Sequence, residues 1–493
     1  MRNPEQTGAL LLVGPPYYSE TRPLTSRIKG LFLDVDPLGI AIVSAFLKRR
    51  GIETRLLTMY PGKISQLESA IENAGSVWLS SRFFDISLAR QVIKIAQKCQ
   101  VPVISGGYGP TFNQEAFEDT TIVQGEAETV LDQVIEDWLC QKLNPLYDAR
   151  LKPPFNLRDY VHPDRTIFRQ FPFGLEILHK HPIEFQRGCP NKCTFCSPTR
   201  LQKGVFRVRE VTDIIGEIEQ MGLKPGDFLF CSDINTTAIP RDTLIEIFQY
   251  LKTKNIRWFT EGTVSTLIED LIQHGENNSF LKLMSPLDGK GGCYTFLYGA
   301  DDLSVKRIAG SHDKVRSVLN QAAKIFRKFG IPLHLSFVIG LDHHTFPDSI
   351  FQIWSVLEDL NLPFAFFQTA TPYKGTPWGD RVYREGRVLD HEPLHYNHHQ
   401  TVFKPNKMTP EELDREHYWL RRRMFNPSNI IHSTRANMDN PFVNSVLTLF
   451  QTCLPLQIEA YLSLQELTSK GVINTKIQKE LDQEYEAWKR KQV

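Results

Sequence analysis

RGCPNKCTFC, residues 187–196, sets Cys189, Cys193 and Cys196 in a C-x3-C-x2-C spacing. Three thiolates this close can share one metal site, but structural zinc and iron–sulfur clusters ordinarily take four protein ligands. One place is therefore left to fill. His179 and His181 lie just upstream, so a structural Cys3His zinc site is one reading. A redox pair in the C-x-x-C half, with a spectator cysteine, is a second. A [4Fe–4S] cluster with one iron open to a ligand is the third. The remaining cysteines, Cys99, Cys140, Cys231, Cys293 and Cys453, stand singly. They read as free thiols in a reducing compartment, each a small buried hydrophobe.

On both sides of that loop the chain alternates short apolar runs with helical periodicity. Downstream, strands are expected at 183–186 (IEFQ), 227–232, 256–262, 294–299, 333–340 and 364–370, with helices at 211–222, 243–255, 315–330 and 349–361. Such a series predicts a partial or full parallel barrel, with chemistry at the C-terminal ends of its strands. The cysteines follow the first strand at that end. Upstream, strands at 9–14, 53–59, 76–81, 102–107 and 121–126 alternate with helices at 37–51, 64–75, 85–99 and 127–139. This is the pattern of a parallel sheet covered on both faces and joined by right-handed crossovers. The expected organisation is α/β. A doubly wound Rossmann-like domain (1–145) is followed by a proline-dense linker (146–180). A partial (β/α)6 TIM-type barrel (181–385) and a mostly helical C-terminal extension (386–493) complete it, the last residues being a helix with a fraying end.

The 493 residues, 41% of them hydrophobic, suffice for several cored units. Net charge is +1, with no long Lys/Arg tract, so nucleic acid is not an expected partner. The N-terminus offers only a short apolar run before Gly14 and Pro15, too little for a signal peptide. No apolar stretch reaches the roughly 18 residues of a membrane span. A soluble cytoplasmic protein is expected.

The cysteine spacing, with Phe195 before the last cysteine and a strand before the first, resembles the radical S-adenosylmethionine (SAM) superfamily. The resemblance implies a [4Fe–4S] cluster on Cys189, Cys193 and Cys196, its fourth iron chelated by SAM. It also implies reductive cleavage of SAM to a 5′-deoxyadenosyl radical, with a flavodoxin- or ferredoxin-type electron donor. Other segments match in order. In FLFCSDINTTA (228–238), Asp233 and Asn235 stand where the family faces the SAM amine. In FLYGADDLS (296–304), Asp301 takes a glutamate's place. SFVIGLD (336–342) resembles the adenine-contact strand, with Ser336 replacing a glycine and with Val338 and Gly340 in place. TPYKGTPWGD (371–380) resembles the family's TP-x-x-GTP turn, and Arg207 or Arg209 could pair with a carboxylate of SAM or substrate, or lie on the surface.

The segments 36–57 and 103–131 resemble the cobalamin-binding domain that precedes many radical SAM enzymes. Gly14, Pro15, Leu38, Gly39, Ser81, Gly106, Gly107, Gly109, Gly125 and Glu126 are the implied cobalamin contacts. Gly106, Gly107 and Gly109 end a strand, where the backbone passes close to something bulky or turns with positive φ. The cobalt-ligating D-x-H-x-x-G pattern is absent. Either cobalamin binds without a protein histidine, or the domain keeps the fold without the cofactor.

The implied reaction is C-methylation of a small molecule. A cobalt-free radical dehydration, epimerisation, oxidation or ring formation is the alternative, and a non-catalytic Fe–S or zinc scaffold is the reading outside enzymes. HEPLHYNHHQ (391–400) follows the barrel and offers Tyr396, His398 and His399 as substrate contacts, or forms a polar surface turn. Trp258, Phe259, Phe366, Phe367 and Trp378 suit a ring-containing substrate, or an ordinary core.

Overall fold

The computed structural model describes residues 10–14, 35–59, 67–168, 179–300, 312–360, 362, 365–429 and 474–492. Pro15, Asp301 and Cys453 lie outside them, as does much of the C-terminal extension.

The first half of the chain forms a six-stranded, all-parallel sheet. Its strands are β1 (Leu10–Gly14), β2 (Thr54–Thr58), β3 (Val77–Ser80), β4 (Val103–Gly106), β5 (Thr121–Gln124) and β6 (Leu146–Asp148), in the order β2-β1-β3-β4-β5-β6. Alternate residues serve opposite faces. Val77 and Leu79 join Val92 and Ile93 of the helix Ile86–Lys98 on one side. Trp78, Ile104 and Val123 join Phe46 of the helix Leu38–Lys48 and Val134 of the helix Leu131–Leu139 on the other. Strands buried on both faces need a near-continuous apolar run, which these have. The order reverses between β1 and β3, and in open α/β sheets such a switch point opens a crevice at the strands' C-terminal ends.

The stretch expected to be a linker contributes β6, paired in parallel with β5 from Ile122↔Leu146 onward. Three residues are too few to show a period among prolines. After β6 come three single turns, each begun by a side chain accepting an N–H two residues on: Asp148 from Arg150, Asn156 from Arg158, Asp164 from Thr166.

A second six-stranded parallel sheet follows in chain order. It comprises β7 (Lys180–Ile183), β10 (Phe228–Cys231), β11 (Arg257–Glu261), β12 (Gly292–Gly299), β13 (Leu333–Ile339) and β14 (Ala365–Thr369). The first strand sits earlier than the 183–186 expected. Asp233 Oδ1 accepts the N–H groups of Phe185 and Gln186, both at 2.8 Å, drawing the chain out of the sheet. β8 (Gln186–Arg187) then pairs antiparallel with β9 (Arg207–Val208).

Ring contacts identify the outer face of this partial barrel. Trp258 meets Phe248 of the helix Arg241–Thr253 at 5.2 Å, and Phe296 meets Phe326 of the helix His312–Lys328 at 5.2 Å. The C-terminal extension closes one edge. The helix Pro410–Met424, opened by a Thr409/Glu412 capping box, covers β14. The helix Thr475–Gln492 then buries Leu481 and Tyr485, the latter against Phe351 and Trp419. The Tyr485 hydroxyl donates to Glu358 at 2.8 Å, and Lys489 Nζ does so at 2.8 Å. The expected fraying end is thus docked through most of its length, because its apolar residues recur on one face.

Tyr485→Ala should lower unfolding free energy by about 3 kcal/mol, as for a large buried aromatic, read from the midpoint of urea denaturation.

Candidate functional site

The cysteine loop runs from β8 to the short helix Ser197–Leu201. Cys189 is buried, Cys193 and Cys196 are half-buried, and none is in a disulfide. Cys189 Sγ lies 3.8 Å from Asn235 Nδ2, and Cys196 Sγ 3.3 Å from Thr199 Oγ1. Trp378 donates its N–H to Thr194 O at 3.1 Å, tying the loop to the turn after β14. Phe195 packs partly buried against the barrel core. The structure brings the three cysteines onto one loop, but among the described residues no three His, Cys, Asp or Glu side chains converge as a metal site. His179 pairs with Asp36 at 2.6 Å. His181 lies against His179, its rings 4.1 Å apart, and burial drives its pKa down to about 3.

At the end of β10, Asp233 is buried, and its carboxyl serves the two backbone donors that end β7. Burial raises its pKa to about 7 against the opposing effect of those donors. Asn235 bridges from Cys189 to Thr263 Oγ1 at 3.4 Å and accepts from Thr237 Oγ1 at 2.9 Å.

The barrel's inner face follows from register. Residues paired across parallel strands share a face, so Phe230, Phe259, Glu261, Leu297, His334, Ser336, Val338, Phe366 and Gln368 face opposite to Trp258, Phe296 and Phe367. Phe230, Phe259, Glu261, Leu297, Ser336, Phe366 and Gln368 are half-exposed, while their outward neighbours are buried. The most tightly packed core is therefore outside the strands, and the inner face is the less covered one. Of the aromatics singled out, Phe259 and Phe366 line it; Trp258 and Phe367 belong to the outer core. Ser336 and Val338 are on the lining. Gly340 is beyond it, in the turn where its N–H donates to His344 Nδ1 at 2.9 Å.

Glu261 was not found by sequence reasoning, because a glutamate ending a strand carries no motif. Among the described residues its carboxyl makes no hydrogen bond or ion pair. Burial, then the charge of Asp233, raises its pKa to about 8. Thr260, on the other face, bonds Thr236 Oγ1 at 2.6 Å, and the Thr263 N–H donates to Thr237 Oγ1 at 2.8 Å, so the strand end is tightly held.

A second cavity, of about 310 Å³, lies at the C-terminal edge of the first sheet. Leu38, Gly39, Gly106, Gly107, Gly125 and Glu126 line one side; Glu184, Arg187, Gln202 and Ser232 line the other. Most of the implied cobalamin contacts thus meet residues flanking the cysteine loop. The glycines divide. A Cβ at Gly107 or Gly109 would stand 2.8 Å from Ser81 O or 2.9 Å from Ser81 Oγ, so the bulk they accommodate is the protein's own chain. A Cβ at Gly39 would meet nothing within 4 Å, and one at Gly106 nothing nearer than 3.7 Å. Gly14 ends β1, packed near Pro37.

Arg187 spans the two halves. It contacts Glu126 Oε1 at 3.2 Å, Glu128 Oε1 at 2.6 Å and Glu184 Oε2 at 2.9 Å, all largely shielded from solvent. Arg207 also reaches Glu126, at 2.9 Å. Arg209 lies over the Tyr160 ring at 3.8 Å and pairs with Glu217 at 2.6 Å. Acids of the protein hold both arginines, so neither lies free on the surface.

The segment after the barrel is a polar, partly exposed turn anchored by one buried side chain. Tyr396 is 1% exposed, and its hydroxyl donates to Asp390 O at 2.8 Å. His398 Nε2 lies 3.0 Å from the Tyr373 hydroxyl, and its Nδ1 3.3 Å from Thr371 Oγ1. His399 is exposed. Tyr373 and Tyr396 pack on Phe83, and Tyr108 donates to Lys374 O at 3.1 Å, fastening the turn after β14 to the first sheet.

No family model matches the chain. It is 24% identical over 360 residues to bacteriochlorophyllide d C-12(1)-methyltransferase of Chlorobaculum tepidum, covering 71% of this chain and 74% of that one. It is also 24% identical over 383 residues to anaerobic magnesium-protoporphyrin IX monomethyl ester cyclase of Rubrivivax gelatinosus, covering 71% and 65%. Among solved structures, radical SAM methyltransferase TsrM from Kitasatospora setae, with cobalamin and a [4Fe–4S] cluster bound, matches at a TM-score of 0.60. That match covers 94% of this chain and 100% of that one at 13% identity. The chain has the fold of the cobalamin-type radical SAM enzymes. The resemblance read from the cysteine loop is borne out, and the chain is an enzyme related to these methyltransferases and this cyclase. No described helix is long and apolar enough to cross a membrane.

Arg187→Met should cost about 3–5 kcal/mol in a urea titration, since it leaves buried carboxylates without their cation. Glu261→Gln should change the pH dependence of stability. The unfolded carboxyl releases its proton near its ordinary value, whereas the folded one keeps it to about pH 8. The wild type therefore loses stability as pH rises through that window, and Asp233 acts in the same direction up to about 7. The variant's urea midpoint should fall less between pH 5 and 9.

Proposed function

We propose that the chain is a cobalamin-dependent radical SAM C-methyltransferase acting on a small, ring-containing substrate. The observation that carries this is the cavity at the first sheet's switch-point edge, whose far wall is made of residues flanking the cysteine loop. The residues present fit the groups. Cys189, Cys193 and Cys196 are three unoxidised thiols on one loop and would hold the cluster. Gly39 and Gly106 leave the cavity floor open. When bound, these groups would supply an electron to SAM and a methyl group to the substrate.

The chain's own residues orient and insulate. Arg187 fixes the cysteine loop against Glu126 at the cavity rim. Asn235 braces Cys189 from the barrel side. Phe230, Phe259 and Phe366 give the inner face an apolar lining that would exclude water from a reactive intermediate. They suit a flat substrate, of the kind that the bacteriochlorophyllide d and magnesium-protoporphyrin IX in the relatives' names represent. A flavodoxin- or ferredoxin-type donor would reduce the cluster. The relationship to a cyclase favours radical ring formation as the second reading.

The test is anaerobic reconstitution with iron, sulfide and hydroxocobalamin, followed by elemental analysis and product assay. About four irons and one cobalt per chain, with S-adenosylhomocysteine and 5′-deoxyadenosine formed together, are expected. Deoxyadenosine alone points to ring formation. Cys189→Ala should be iron-depleted and form no deoxyadenosine; full turnover by that variant would refute the assignment.

A further inference from the structure

The cysteine loop reaches the surface of the protein. Asn191, Lys192 and Thr194 are exposed, as are Pro198 and Arg200 on the short helix that follows, and Cys193 and Cys196 are half-buried. The chain then turns back and packs on the start of the loop, where a Cβ at Gly188 would stand 2.1 Å from Val205 O. From the other half of the chain, the single turn Ala149–Leu151 reaches the same place. Lys203 Nζ donates to Ala149 O at 3.4 Å and to Lys152 O. These contacts join Leu151, Lys152, Lys192, Arg200, Lys203 and Val205 into one surface around the loop.

That surface is apolar and basic. Leu151 is 84% exposed and Val205 40%, large apolar side chains left to solvent. Lys152, Lys192, Arg200 and Lys203 form no ion pair among the described residues, and Lys203 donates only to carbonyls. Lys203 lies near Asp148, but that acid is already paired with Arg150 at 2.8 Å. Glu126 and Glu128 are held by Arg187. Net charge over the whole chain is only +1, so the cations gathered here are a local excess. Such a patch complements an acidic protein face, and its self-repulsion is relieved when a partner's charge is set against it.

We propose that this patch docks an acidic one-electron carrier protein, of the flavodoxin or ferredoxin kind, against the cysteine loop. The inference rests on the radical SAM reading above and adds where the donor binds. The carrier gives up one electron and a cluster on Cys189, Cys193 and Cys196 gains it; no atom is exchanged. Transfer falls off steeply with distance, so the donor must sit where the thiols approach the surface. Redox encounters bury little area and are guided by charge, so a small basic patch is enough.

The experiment measures binding of an acidic flavodoxin and of an acidic ferredoxin to the reconstituted anaerobic protein by calorimetry, at about 0.05 and 0.3 M salt. SAM cleavage is followed in parallel, driven by either carrier or by dithionite. Wild type is compared with Lys152→Glu/Arg200→Glu. The control is Lys94→Glu/Lys290→Glu, an equal charge change at exposed positions near the strands' N-terminal ends, away from the loop. Wild type should bind at least one carrier, and at least about tenfold more weakly at the higher salt. At low salt Lys152→Glu/Arg200→Glu should bind it at least about tenfold more weakly than wild type and lose carrier-driven cleavage in proportion, with dithionite-driven cleavage within about twofold. The control should match wild type in both. Binding of neither carrier by wild type, unchanged binding in Lys152→Glu/Arg200→Glu, or equal weakening in the control would each overturn the proposal. Loss of dithionite-driven cleavage in Lys152→Glu/Arg200→Glu would show a disturbed loop and would overturn it too. Failure of dithionite to drive SAM cleavage by wild type would instead overturn the radical SAM reading.

Discussion

Arg187 is a guanidinium taken out of water and surrounded by three carboxylates, one from its own strand end and two from the other half of the chain. The cost of burying such a charge is recovered only with near-complete pairing, so the arginine fixes distance and angle wherever it sits. It sits two residues before Cys189. The placement of the cysteine loop over the first sheet is therefore set by a planar, five-donor fork rather than by apolar packing, which would tolerate slippage. The cavity lies beside this contact, with Arg187, Glu126, Glu128 and Glu184 all in its lining.

The barrel inverts the usual division of labour. Its outer face, packed by Trp258, Phe296 and Phe367 against the helices, supplies the stability. Its inner face is less covered and mixes Phe230, Phe259, Leu297 and Phe366 with Glu261, Ser336 and Gln368. A wall stabilised from outside can line its interior to suit a ligand.

Much of this was legible before the structure. The C-x3-C-x2-C spacing, the alternation of strands and helices and the glycines at strand ends all carry local signals. What escaped was either short or three-dimensional. β6 is three residues long, below any period. The position of β7 was set by Asp233, some fifty residues downstream. Trp258 and Phe259 are adjacent aromatics, and only the pleat decides which meets a helix and which the cavity. Gly107 and Gly109 did mark a close approach, but to Ser81 and not to a ligand. Arg187 looked like an ordinary neighbour of a cysteine, because two of its three partners, Glu126 and Glu128, lie far upstream in the chain.

The turn after β14 and the loop after β7 both grip the first sheet, one through Tyr373, Tyr396 and Phe83, the other through Arg187. β7 and β14 are the two outer edges of the barrel sheet. A body pinned at both edges has no hinge, since opening either side strains the other. A large group held between the halves would then be gripped from both edges at once, and would leave more slowly than from a cleft fastened on one side only.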